Sequence, residues 1–565
     1  MFIPATQEEI KKIGWSKLDI ILITGDTYID SSYIGVAVIG KVLIHAGYRV
    51  GIIAQPDISD NKDISRLGMP ELFWGVTSGC MDSMVSNYTA SNKKRQKDDL
   101  TPGHENNRRP DLAVIAYTNL IRRYYKNTRP IVLGGIEASL RRISHYHFWT
   151  NSVRRSILFD AKADVLVYGM GEKTILELAD KINKKKDFTD IKGICWIGKT
   201  PPGDYIKLPA HEEVVKDKNK FIKAFELFYT NTDPITAKGF YQKQDTRYLI
   251  HNPPRESLTN DELDAIYELD YERDVHPYYK KFGHVRGLDT IRYSITSHRG
   301  CYGECSFCAI SVHQGRMVID RSESSIIREA ELITNDPGFK GIINDLGGPT
   351  ANMYGIECLN KTKHGACLDK RCMTPVICKK LKVSHKRQIN LLKKLRDIPG
   401  IKKIFIGSGI RHDLILNDKS FGMQYLKEII THHISGQLKI APEHSEDLIL
   451  DLMGKPGTKT IIDFKRQFDR INSDLGKKQY LTCYFIAAHP GCTMDDMYKL
   501  KQFIKKILKF TPEQVQIFTP TPSTYSTLMY YTETDMKNGQ PLFIEKNRKN
   551  KEKQKNIIIK KHRQL

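Results

Sequence analysis

The chain has 565 residues and a formal net charge of +23, from 88 Lys and Arg against 65 Asp and Glu, with 40% hydrophobic residues. That length and apolar content allow two to four domains with substantial cores. No run of about 18 apolar residues occurs, which excludes a membrane span. The opening Met1-Phe2-Ile3-Pro4 lacks the basic-then-apolar order of a secretion signal. Seven of the 11 cysteines lie between 301 and 378, a crowding that suits metal binding in a reducing cytoplasm better than disulfides. The positive excess would attract a polyanion such as RNA.

In chain order, Leu18 to Thr24 reads as a buried strand that ends at Gly25-Asp26. A helical pattern follows from Ile34 to Ala46, Gly47 stops it, and Arg49 to Ala54 is the next strand. Pro130 to Leu133 ends at Gly134-Gly135, and Asp164 to Tyr168 ends at Gly169 before a helix from Glu172 to Ile182. Strand, glycine turn and helix in repetition mark a parallel α/β sheet. Gly134-Gly135 is read as a tight turn, although such a turn can also cradle a phosphate. Between 186 and 284 the pattern weakens into Pro, Tyr and charge, and this stretch is read as a connector. Its tyrosines (Tyr241, Tyr248, Tyr267, Tyr271, Tyr278, Tyr279) suit packing better than stacking on bases.

From 285 to 532, six strand candidates alternate with helical stretches: Thr290–Thr296, Gly341–Leu346, Lys403–Gly407, Leu438–Ala441, Leu481–Ala487 and Val515–Phe518. Six such units predict a partial TIM-like barrel, whose active face lies at the strand C-termini. There the unusual residues gather: Cys301, Gly347-Gly348, Gly407-Ser408-Gly409, Pro442-Glu443-His444, His489-Pro490-Gly491 and Thr519-Pro520. The last stretch, 533–565, is expected to be a basic, solvated tail, with a nucleic-acid arm as the alternative.

The most specific word is Gly300-Cys301-Tyr302-Gly303-Glu304-Cys305-Ser306-Phe307-Cys308. Three thiolates at this spacing can hold a four-iron cluster and leave one iron open to a cofactor or substrate. Zinc with a remote fourth ligand, or plain buried thiols, are the competing readings. A second group, Cys358, Cys367, Cys372 and Cys378, falls in a Cys-rich insert (352–380) and reads equally as a site for a further metal or as reduced structural thiols.

The C-x3-C-x-aromatic-C word resembles the signature of radical S-adenosylmethionine (SAM) enzymes. Ser297-His298-Arg299-Gly300-Cys301, Asp345-Leu346-Gly347-Gly348-Pro349-Thr350, Ala441-Pro442-Glu443-His444 and Phe518-Thr519-Pro520-Thr521-Pro522 resemble the YgiQ-type family within that superfamily. The similarity runs to about residue 532, where longer members continue with an extra segment. It implies a 4Fe-4S cluster on Cys301, Cys305 and Cys308, with SAM on the open iron and cleaved to a 5′-deoxyadenosyl radical. Phe307 would flank the adenine, and Gly347 and Gly348 would receive the methionine amino group. Ser408 and Arg411 would reach the ribose and carboxylate, and Glu443 and His444 would bind substrate or move a proton. A reductant such as flavodoxin or ferredoxin is the implied partner, and RNA is the substrate class that the charge suggests. An iron–sulfur carrier or sensor, or a zinc-stabilised nucleic-acid-binding protein, is the alternative. Residues 1–185 resemble the cobalamin-binding-like, doubly wound domain found before some radical SAM cores. The histidine word D-x-H-x-x-G is missing near Gly25-Asp26-Thr27-Tyr28, so the expectation is against cobalamin itself.

Overall fold

A computed structural model describes residues 1–368, 370–512 and 515–559. Two compact units emerge, Met1–Ser257 with Ala265–Arg292, and Leu258–Asp264 with Tyr293 onward.

The first unit is built on a nine-stranded sheet. Its spatial order is Ile206–Leu208, Phe240–Gln244, Arg247–His251, Ile194–Gly198, Val165–Val167, Ile131–Leu133, Phe73–Thr77, Ile20–Thr24 and Val50–Ala54. The five strands from Val165–Val167 to Val50–Ala54 are all parallel. In chain order they lie 2-1-3-4-5, a doubly wound arrangement. Ile20–Thr24 and Val50–Ala54 are buried along their full length, as expected for parallel strands covered on both faces. Burying each such Ile contributes about 1.5–3 kcal/mol. Outside the carboxyl ends of Ile20–Thr24 and Phe73–Thr77, Arg109 pairs with Asp26 and, at 2.9 Å, with Asp98, all three buried.

The stretch 186–284 is not a mere connector. Ile194–Gly198, Phe240–Gln244 and Arg247–His251 extend the sheet with antiparallel pairing. Tyr241 and Tyr248 stack edge to face at 5.8 Å, and the Tyr279 hydroxyl accepts from the Ala54 backbone at 2.7 Å. The burial of Phe240–Gln244 alternates, but its polar letters hid that period.

In the second unit, Ser294–Thr296 pairs in parallel with Asp345–Gly347, and Ile342–Ile343 with Lys403–Ile404. Gln437–Glu443, Tyr480–Ala487 and Gln516–Ile517 form a second parallel set, and Ile410 bridges to Ile440. Thr290 and Ile291, read above as strand, close the helix Arg286–Ile291, which belongs to the first unit. The expected tail is also partly wrong. Arg548–Ile558 is a helix in which Lys551, Gln554 and Ile558 are buried. Gln554 accepts from Ala488 N at 2.8 Å and donates to Cys492 O at 3.1 Å. The 3–4 spacing of those three residues gives the basic helix an inward face that charge alone conceals. Lys560, Lys561 and Arg563 lie outside the described residues. Among the described residues, no helix is long and apolar enough to cross a membrane.

Candidate active site

The cysteine loop begins at a position that only glycine fits. Gly300 has φ +79°, and a Cβ there would stand 1.7 Å from Met317 O. That backbone approach closes the ribbon His298–Arg299 with Ile319–Asp320 and turns the chain toward the thiols. Gly303 N donates to Cys301 Sγ at 3.3 Å, and Thr350 Oγ1 lies 3.6 Å from the same sulfur. Arg411 Nη1 lies 3.6 Å from Cys305 Sγ. Burial pushes the Cys301 thiol up and Cys308 to about 12, and in both cases the neighbouring Cys305 adds to the rise. The Cys305 thiol therefore lies near both Cys301 and Cys308, and all three are half-buried.

Among the described residues, no three His, Cys, Asp or Glu side chains converge on a single ion. A four-iron cluster asks for something different, because each thiolate binds its own iron at a separate corner. Three soft donors gathered on one half-buried loop beside a guanidinium fit that group.

Two loops bring further charge to the thiols. Arg411 is buried and forks onto Asp413, Nε to Oδ1 at 2.8 Å and Nη2 to Oδ2 at 2.6 Å. Its fork is thus already filled by a carboxylate of this chain, and only Nη1 faces sulfur. Glu443 ends its strand in the left-handed region (φ 69°) and pairs with Lys455 Nζ at 3.4 Å. Burial raises the Glu443 carboxyl pKa, against the pull of Lys455. The same Lys455 lies 5.9 Å over the Phe307 ring and opposes the rise of Cys308. Phe307 also meets His489 edge to face at 6.4 Å.

The remaining expected residues divide. Ser408 is tied to Asp345, its backbone N donating to Oδ1 at 3.0 Å and its hydroxyl to Oδ2. The Gly347 carbonyl accepts from Ser297 N at 2.7 Å and Ser297 Oγ at 3.0 Å, so that group is engaged within the protein. Gly348 lies against the buried His298 ring, which a Cβ would meet at 2.4 Å. His444 accepts from Glu446 N at 3.1 Å and lies 3.6 Å from Cys492 Sγ. Burial lowers its pKa to about 4.

Sequence reasoning missed Lys455, Asp345 and Asp413. Lys455 was visible only as a lone cation in Gly454-Lys455-Pro456-Gly457. It also missed Lys361, which is buried and donates to Glu304 Oε1 at 3.0 Å, Arg316 O at 2.9 Å and Cys372 Sγ at 3.5 Å. Glu304 lies inside the cysteine loop, so the insert clamps that loop directly. In the second cysteine group, open to either a metal or plain reduced thiols, no three side chains converge on one ion among the described residues. Cys358 and Cys372 are buried among Tyr302, Met353, Ile356 and Leu381, with Cys378 against them. Cys367 has an Asn360 Nδ2 contact at 4.0 Å.

A parallel α/β unit followed in the chain by a loop of three thiols fits the radical SAM class of protein. The chain matches the Radical SAM N-terminal family over residues 2–294. It belongs to the UPF0313 family: it is 58% identical over 563 residues to a UPF0313 protein of Fusobacterium nucleatum subsp. nucleatum, covering 100% of this chain and 99% of that one. Its fold is similar to that of the radical S-adenosylmethionine methyltransferase TsrM from Kitasatospora setae, a structure with cobalamin and a 4Fe-4S cluster bound. That likeness has a TM-score of 0.51 at 14% identity and covers 90% of this chain and 76% of TsrM. The cobalamin-dependent radical enzyme OxsB, with aqua-cobalamin bound, gives 0.51 at 13% identity over 93% of this chain and 57% of OxsB. The expectation against cobalamin is corrected by these neighbours. A missing histidine word reports only one mode of axial ligation, so it does not by itself decide the ligand.

Proposed function

We propose that the chain is a radical SAM enzyme. The observation that carries this reading is the half-buried trio Cys301, Cys305 and Cys308, with Arg411 Nη1 3.6 Å from one sulfur. When bound, the 4Fe-4S cluster supplies one electron to SAM, which is cleaved to methionine and a 5′-deoxyadenosyl radical able to take a hydrogen atom from a substrate carbon.

The chain's own residues do the rest. Cys301, Cys305 and Cys308 act as thiolate ligands, and the cations of Arg411 and Lys455 offset the cost of burying their charge. Asp413 holds Arg411 in place by its two-pronged bond. Phe307, fixed between Lys455 and His489, offers an apolar face for the adenine. Ser408, held by Asp345, and Gly348 are left to meet the ribose and methionine ends. Glu443 is the proton-handling candidate, because burial raises its carboxyl pKa while Lys455 sits on Oε1. His444, directed toward Cys492, has a supporting role. The reductant is a flavodoxin or ferredoxin. The positive charge makes RNA the first substrate class to assay.

The test is anaerobic reconstitution with iron and sulfide, then reduction and addition of SAM, with 5′-deoxyadenosine read by chromatography. The wild-type chain should release it, and Cys305→Ala should lose both the cluster absorbance and the product. Release by Cys305→Ala, or a fully loaded wild type that never cleaves SAM, would refute the assignment.

A further inference from the structure

Asn352 follows Gly347-Gly348-Pro349-Thr350-Ala351 and is completely buried. Its amide holds both backbone groups of Arg411. Oδ1 accepts from Arg411 N at 2.7 Å, and Nδ2 donates to Arg411 O at 3.0 Å. The second Nδ2 proton points to His385 Nε2 at 3.2 Å. On its other side His385 Nδ1 lies 2.9 Å from Asp418 Oδ2, and the ring stacks on Tyr425 with centroids 4.6 Å apart. Asp418 is held in turn by the backbone N–H groups of His385, Ser420 and Phe421.

The polarity of this chain of bonds runs one way. The Asp418 carboxylate only accepts, so His385 Nδ1 carries the proton and Nε2 presents a lone pair. That lone pair takes an N–H from Asn352, which turns Oδ1 toward Arg411 N. Arg411 N can only donate, so both ends of the chain agree on one amide orientation. A buried network whose members are all satisfied specifies a single arrangement. Arg411 and Asp418 flank the two ends of the six-residue helix His412–Asn417. Asn352 and His385 therefore clip both ends of that helix to the loop that follows Asp345–Gly347.

The same loop brings Thr350 Oγ1 to 3.6 Å from Cys301 Sγ, while Arg411 Nη1 reaches Cys305 Sγ at 3.6 Å. Asp413 sets the plane of the guanidinium, and Asn352 sets where the backbone that carries it stands. Asp413 also balances the Arg411 charge, so the sulfur meets an N–H dipole rather than an uncompensated cation. Hydrogen bonds to the sulfurs are among the levers that set the potential of an iron–sulfur cluster. A donor stabilises sulfur most when the cluster holds its extra electron, so it raises the potential. Resting on the radical SAM reading of the three thiols, we propose that Asn352 is a positioning residue: it holds Arg411 Nη1 on the Cys305 sulfur and thereby raises the reduction potential of the bound cluster.

The test is a potentiometric titration of the anaerobically reconstituted full chain with titanium(III) citrate, without SAM, the reduced cluster being counted by electron paramagnetic resonance. At matched iron per chain, Asn352→Leu should shift the one-electron equilibrium toward the oxidised form by about threefold or more, which is about 28 mV at about 59 mV per tenfold. Arg411→Gln should shift it at least as far. The two changes combined should match Arg411→Gln alone, because Asn352 acts through Arg411, whereas independent effects would add. A merely structural asparagine would alter iron content or unfolding and leave the potential of the loaded chains where it was. If Asn352→Leu holds no iron, Asn352→Ser, which can still accept from Arg411 N, carries the comparison; if Arg411→Gln holds none, Arg411→Met replaces it. An unmoved potential in a loaded Asn352 variant overturns the role given to Asn352, and full additivity with the Arg411 change overturns its route through Arg411. A wild-type chain that takes up no four-iron cluster overturns the radical SAM reading itself, and this role with it.

Discussion

Replacing Lys361 by Met should loosen the cysteine loop from a distance. Lys361 is buried, yet its ammonium stays charged: burial lowers its pKa, but Glu304 and the Cys372 sulfur outweigh that and leave it raised. Glu304, one residue before Cys305, takes Lys361 at 3.0 Å and Arg316 at 3.9 Å. At an effective dielectric of about 20 the first contact is worth roughly 5 kcal/mol of gross attraction and the second about 4. Arg316 therefore keeps Glu304 from being wholly stranded. The loss belongs at the low end of the 3–5 kcal/mol typical for breaking a buried pair, about 3 kcal/mol, with about 1 more for the Arg316 carbonyl that loses its donor. The urea midpoint of the unfolding that releases the loop should fall by about 1 M or more. Iron per chain after anaerobic reconstitution should fall with it, because the loop carries all three thiols. Glu304→Gln combined with Lys361→Met should recover part of the stability, since the stranded carboxylate is then gone and only its 3.9 Å contact with Arg316 is lost. A Lys361→Met chain that unfolds within about 0.5 kcal/mol of wild type, a margin usual for surface changes, and loads iron fully would refute the reasoning.

Gly300→Ala puts a methyl 1.7 Å from Met317 O at φ +79°, so the loop must move; iron content should drop by more than half while far-ultraviolet circular dichroism of the first unit's sheet persists. Lys551 is buried in the C-terminal helix, and burial lowers its pKa from 10.5 to about 8. The unfolded chain then binds the extra proton between pH 8 and 10.5, so stability should rise with pH across that window. Below pH 8 the full cost, about 3 kcal/mol, is present. Lys551→Met should remove that slope and raise the thermal midpoint at pH 7, and an unchanged slope would show that the ammonium is solvated.

That the three thiols gather in one place was legible because Cys301, Cys305 and Cys308 lie within eight residues, so a single loop brings them together. The parallel strands were legible for a similar reason, since Ile20 to Thr24 and Val50 to Ala54 are apolar on both faces. Long-range pairing left no such trace. Phe240–Gln244 reads as polar linker until Arg247–His251 lies beside it. The tail reads as solvated until Gln554 finds Ala488, and Lys361, one cation among many, becomes a clamp only when folding brings it 57 positions back to Glu304. Short-range chemistry is written in spacing, whereas a buried charge acquires its meaning from the partner that the fold delivers, because only removal from water makes that partnership strong.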